Sequence, residues 1–69
     1  MILMIMVLTS HAKQRMAEHG ITLGMVKEAL KRGAITRQSD GYLAAYTYFA
    51  VAYKMLEHDV YKIKTVMVR

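Results

Sequence analysis

His11 and Arg15 stand four residues apart, so on a helix they share one face, and Glu18 or His19 extends that stripe by a turn. An imidazole that titrates near neutrality beside a permanently charged guanidinium suits phosphodiester chemistry. His11 can move a proton, and Arg15 can hold charge that develops on phosphorus. The same spacing also describes an ordinary polar helix face, with an Arg15 to Glu18 ion pair worth about a few tenths of a kcal/mol. His19 and His58 could join His11 around a metal, but no carboxylate stands in a recognisable ligand spacing, so neither metal nor cofactor is expected. No glycine-rich phosphate loop is present and no serine sits in a nucleophile elbow, which excludes the usual NTPase and hydrolase signatures.

Five tyrosines, at 42, 46, 48, 53 and 61, fall in the second half of the chain. They could stack on unpaired bases, at about 1–3 kcal/mol each. Core packing accounts for most of them equally well, and Tyr46 is the candidate for a base contact. Lys62 and Lys64 share a face of the last strand pattern and are candidate phosphate contacts, with solvation as the simpler role.

The chain has 69 residues, no cysteine, no proline, and ten Lys+Arg against five Asp+Glu, for a formal charge of +5. A chain of this length makes one domain with a small core, and it has neither disulfides nor thiolate metal cages to staple it. Oligomerisation or a partner protein is therefore expected, either a homodimer or a tight heterocomplex, in a reducing cytoplasm. The sequence pI near 9.8 points to an anionic partner. A hydrophobic fraction of 55% is too apolar for a disordered basic tail. The run Met1 to Leu8 is apolar throughout but stops at Thr9-Ser10, far short of the roughly 20 residues a membrane span requires, and it has no secretory-signal flanks. It fits a buried strand or an interface.

The positioning elements can be read in order. Ser10 is the expected N-cap of a helix from His11 to His19, ended by Gly20 in a left-handed conformation. Thr22 caps a second helix, with Ile21 and Val26 as a hydrophobic staple, Leu23, Val26 and Leu30 facing inward, and Lys31-Arg32 at its negative end. Beyond Gly33 the residues become β-branched and aromatic, with Asp40-Gly41 as a type I′ hairpin turn. Tyr42 to Met55 reads as one strand, Leu56 to Asp59 as a four-residue turn, and Val60 to Arg69 as the last strand of an antiparallel meander. On that register Arg37, Tyr46, Tyr48, Thr65 and Arg69 share one face, and Leu43, Phe49, Val51, Val66 and Val68 the other. The expected architecture is α+β, two N-terminal helices on a three- to four-stranded antiparallel sheet, with a possible extra N-terminal strand.

The string Ser10-His11-Ala12-Lys13-Gln14-Arg15-Met16-Ala17-Glu18-His19-Gly20-Ile21-Thr22 resembles the opening of a small prokaryotic domain family of unknown function that reads His-Ala-x-x-Arg-Met-x-x-Arg-Gly-Ile. The likeness continues through Val26, Ala29-Leu30, Gly33 and Lys64-Thr65-Val66. By its pattern that family is grouped with RelE-like and BrnT-like toxins, in the barnase, EndoU, colicin and RelE class of small ribonucleases. The resemblance implies one toxin-type domain over residues 1–69, metal-independent RNA cleavage and a cognate antitoxin. It places His11, Arg15 and Thr65 in catalytic positions. His19 stands where the family more often has Arg, which removes a fixed cation or supplies a second titratable group, and Arg69 is the last-strand basic residue. A non-catalytic module that binds RNA or protein through the same surface is the competing expectation.

Overall fold

Thr9 begins the helical part of the molecule. Its extended backbone lets the side chain accept the Ala12 N–H at 3.0 Å, and the helix that follows, α1, spans Ser10–His19. The cap thus lies one residue before the expected Ser10. Ser10 is exposed, whereas the Thr9 hydroxyl has a second anchor, the carbonyls of Ile63 and Lys64 at 3.2 and 3.0 Å. Gly20 ends α1 as expected, at φ 65° with its N–H donating to Met16. The second helix, α2, spans Leu23–Arg32. Thr22 caps it by accepting the Met25 N–H, and the Thr22 N–H reaches Met25 Sδ in return. Val26 and Ala29 are buried, but Leu23, the first residue of the helix, is half exposed rather than facing inward as expected.

The computed structural model describes residues 4–69. Five strands complete it: β1 (Ile5–Leu8), β2 (Ala34–Gln38), β3 (Gly41–Tyr46), β4 (Phe49–Glu57) and β5 (Val60–Val68). They form one sheet in the order β1-β5-β4-β3-β2. The sheet is mixed rather than purely antiparallel, because β1 runs parallel to β5, with Ile5 opposite Val60 and Leu8 opposite Ile63. The extra N-terminal strand is therefore present; residues 1–3 of the apolar run lie outside the described residues.

The expected long strand from Tyr42 to Met55 is two strands. Thr47-Tyr48 forms a two-residue turn that sets Tyr46 opposite Phe49. Of the two turn residues only Thr47 has positive φ, 48°, the sign pattern of a type II′ turn, which favours Gly there. No turn-forming residue marks this position, so the sequence pattern runs straight across it. The turn reverses the side-chain alternation, and Tyr46 shares the inner face with Phe49 while Leu43 lies on the outer face opposite Ala52. Arg37, opposite Tyr42, also falls on the inner side. The other two turns differ as well. Ser39-Asp40 carries the first, with Gly41 at φ 124° taking the conformation other residues avoid, and His58-Asp59 carries the last. A type I′ turn would need positive φ at both Ser39 and Asp40, and neither has it.

Phe49, Val51, Val66 and Val68 share a face as expected, because two β-bulges compensate one another. Leu56 is an extra residue on β4 and Lys64 an extra residue on β5. Inside, α1 and α2 close one core. Ala12, Met16, Ile21, Val26 and Ala29 meet Ala44, Phe49, Val51, Tyr53, Ile63 and Val66 on the inner sheet face. Tyr53 lies between Tyr42, on which it stacks, and Tyr61, to which its ring is tilted, each pair of ring centroids 5.6 Å apart. This burial, together with the neighbouring phenols, pushes the Tyr53 hydroxyl above its ordinary pKa. Among the described residues no helix is long and apolar enough to cross a membrane.

Candidate functional site

β1 ends opposite Ile63, but β5 continues to Val68, so among the described residues the β1 side of β5 beyond Ile63 has no neighbouring strand. Thr9 steers the chain away at that point and sends α1 across the inner face. Between α1 and the free stretch of β5 lies an open groove of about 430 Å³, lined by His11, Arg15 and His19 from the helix and by Thr65, Val66, Met67 and Val68 from the strand. His11, Arg15 and His19 fall in the groove because α1 buries Ala12 and Met16 against the core, which turns the adjoining stripe toward the sheet edge. Thr65 reaches it because the bulge at Lys64 turns Val66 into the core and leaves Thr65 outside.

The lining contains two imidazoles and a guanidinium and no carboxylate or thiol. Glu18 stands 3.5 Å from Arg15 at the surface, with both side chains 44% exposed, a pair of little energetic weight. The side-chain hydrogen bonds among the described residues leave both ring nitrogens of His11 without a protein partner. The groove can therefore offer proton transfer, a fixed positive charge and a hydroxyl to a ligand laid along it. Among the described residues no cluster of three or more His, Cys, Asp or Glu is placed to hold a metal ion.

Four of the sequence-derived candidates, His11, Arg15, His19 and Thr65, thus come together. The other four lie elsewhere. Lys64 crosses the outer face to the β2–β3 turn, where its Nζ donates to the Asp40 carbonyl and stands 3.6 Å from the Asp40 carboxylate. Lys54 approaches the same carboxylate at 3.6 Å. Lys64 first, and Lys54 after it, hold the Asp40 carboxyl below the usual carboxylate range. Lys62 is exposed on the outer face, opposite Lys54. Arg69 is tied to the β3–β4 turn, its backbone N–H donating to Tyr48 at 2.8 Å and its guanidinium to the Thr47 carbonyl at 3.4 Å. Tyr46 packs edge-on against Phe49 and lines an apolar cleft with Thr22, Met25 and Tyr48.

Three contributors were missed by sequence reasoning. Thr9 holds α1 against β5, and its only sequence signal was a cap-forming residue adjacent to another. Val66 and Val68 matter through their backbone, which an apolar side chain does not advertise. Their peptide orientation follows from Arg69. Its N–H donates to Tyr48, so the alternating pattern gives hydrogen-bonded pairs to Met67 with Ala50 and Thr65 with Ala52. The N–H and C=O groups of Val66 and Val68 then point away from β4, into the groove.

No curated protein matches the chain. One solved structure that is similar is the toxin-antitoxin complex RelBE2 from Mycobacterium tuberculosis, a chain of which superimposes with a TM-score of 0.67 at 19% identity, over 97% of this chain and 99% of that one. At that identity the likeness establishes the fold. Residues 8–68, nearly the whole sequence, match the family described as Domain of unknown function (DUF4258), and the chain belongs to that family.

Proposed function

We propose that the groove between α1 and β5 cleaves RNA, and that the protein is a single toxin-type domain, a metal-independent endoribonuclease held in check by a cognate antitoxin. The observation that carries this reading is the convergence of His11, Arg15 and Thr65 in one open, carboxylate-free groove. The likeness of the fold to a chain of a toxin-antitoxin complex supports the partner. The net charge of +5 favours an anionic substrate.

In this scheme His11 takes the proton from a ribose 2′-hydroxyl as that oxygen attacks phosphorus. Arg15 neutralises the phosphorane, Thr65 holds a non-bridging oxygen, and the 5′-oxygen leaves with a proton from water, giving a 2′,3′-cyclic phosphate. His19 adds positive charge to the phosphate track when protonated. A second reading, a non-catalytic module that binds RNA or protein, is favoured by the unanchored imidazole of His11, since general bases are commonly oriented by a second group.

One experiment separates the two. Purified protein is incubated with total RNA and with translating ribosomes in the presence of a chelator, beside His11→Ala and Arg15→Ala. Cleavage with cyclic phosphate ends, lowered about 10²- to 10⁴-fold by His11→Ala and about 10²- to 10³-fold by Arg15→Ala, supports the enzyme. Salt-sensitive RNA binding that survives His11→Ala, without cleavage, supports the binding module.

A further inference from the structure

The free stretch of β5 has a second property that does not depend on catalysis. From Lys64 to Val68 it is a sheet edge with its inner neighbour complete and its outer neighbour missing. The Lys64 carbonyl is taken by the Thr9 hydroxyl, which leaves the N–H and C=O groups of Val66 and Val68 facing the groove. Such a row is a template for another strand, and folded proteins ordinarily cover or blunt it. Here no strand among the described residues covers it, and beyond Lys64, whose side chain is engaged by Asp40, none of its side chains is charged. Met67 and Val68 are 40% and 48% exposed.

We infer that this edge accepts an extended segment of a partner protein as an added strand, in line with β1, and that the segment alternates acidic with apolar side chains. Alternation follows from strand geometry, since successive side chains of the added strand face opposite sides of the sheet. On the inner side they meet Arg15, His11 and His19, with no carboxylate lining the groove. On the outer side they meet the exposed side chain of Met67 and continue the apolar row begun by the exposed Ile5 and Val7 of β1. A second copy of this chain pairing through the same edge would set Arg15 and two imidazoles near their own equivalents, and charge complementarity therefore selects an acidic partner. The outermost strands β1 and β2 also have open edges, and β2 carries Arg37, but neither strand lines the groove that holds His11, Arg15 and His19. Docking stands independently of the ribonuclease reading. Its consequence, that an occupied edge excludes RNA from His11 and Arg15, rests on that reading.

The test uses the full chain, isotopically labelled, and a short capped peptide of alternating Glu and Val long enough to span Lys64–Val68. A peptide of alternating Lys and Val is the control. Amide hydrogen exchange is read residue by residue without RNA, so the outcome is independent of cleavage. The expected result is saturable slowing of exchange at Val66 and Val68, with no change along β2, and no slowing by the Lys peptide. Arg15→Glu, at an exposed position that leaves the fold intact, should weaken the Glu peptide about tenfold or more and admit the Lys peptide. The proposal is overturned if the Val66 and Val68 amides are unaffected at millimolar Glu peptide, or if β2 is protected instead. It is also overturned if these amides are already protected in a dimer of the chain alone. A 2′-O-methyl oligonucleotide that perturbs His11 and Arg15 while the Glu peptide perturbs nothing would assign the groove to nucleic acid and refute the peptide site.

Discussion

Removing the Thr9 hydroxyl tests whether one side chain holds the candidate site together. That oxygen accepts the Ala12 N–H at 3.0 Å and its O–H reaches the carbonyls of Ile63 and Lys64, so it joins the start of α1 to the point where β5 loses its neighbour. Thr9→Ala removes an N-cap, typically about 1 kcal/mol, and one net hydrogen bond to the strand, about 1 kcal/mol more. The sum, about 2 kcal/mol, is a large share of the roughly 3–10 kcal/mol expected for a domain of this size. It corresponds to a fall in Tm of roughly 8–16 °C. Thr9→Ser keeps the oxygen and loses only a half-buried methyl, and should stay within about 0.5 kcal/mol of the parent. Thermal and urea unfolding followed by circular dichroism measure all three proteins. The reasoning fails if Thr9→Ser is as destabilised as Thr9→Ala, for then the methyl, and not the hydroxyl, carries the effect.

Two further perturbations follow from the turns. Thr47 has φ 48°, a conformation costing a non-glycine residue about 1–2 kcal/mol, and Gly gives back about 0.5–1 kcal/mol through unfolded-chain entropy. Thr47→Gly should therefore raise stability by about 0.5–1 kcal/mol and Tm by about 2–8 °C, and a lower Tm on a scan would contradict the turn geometry. Asp40 is held ionised by Lys64 and Lys54, so its folded pKa lies below the unfolded value. The stabilisation is present above the usual carboxylate range and is lost as pH falls through the folded pKa. The urea midpoint of the parent should exceed that of Asp40→Asn at neutral pH, and the gap should close as pH falls from the usual carboxylate range through the lowered folded pKa, and also with added salt.

The helices were legible because each carries local chemistry at its ends. Gly20 and Thr22 adopt the conformations their types favour, and Val26 and Ile21 bury as their spacing requires. The sheet was less so. The turn at Thr47-Tyr48 lacks any turn-forming residue, and overlooking it placed Tyr46 and Leu43 on each other's faces. The faces of Phe49 and Val66 came out right because the extra residues Leu56 and Lys64 cancel in the count, a compensation that tertiary structure imposes and local sequence does not encode. In the site, the His11, Arg15 and His19 stripe was readable from helical spacing. Lys64 and Arg69 were captured elsewhere by acceptors far along the chain, Asp40 and the Thr47 carbonyl. Nothing in the type of a lysine or arginine reveals which acceptor will reach it first.

The bulge at Lys64 explains why the groove has both an apolar floor and a polar wall. In an unbroken β5, Ile63, Thr65 and Met67 would share the inner face, burying the Thr65 hydroxyl beneath α1 and expelling Val66 from the core. The extra residue lets Ile63 and Val66 both point inward, each essentially fully buried, and leaves Thr65 beside the groove. It also sends the Lys64 carbonyl toward Thr9, whose hydroxyl accepts the first turn of α1 and thereby aims His11 and Arg15. Core packing, helix capping and the exposure of the β5 edge are therefore consequences of one inserted residue. A bulge that cost ladder hydrogen bonds without return would be a defect; here the lost regularity is offset by the burial of Val66 and by the Thr9 bond, and the open edge is what remains of the sheet for a ligand.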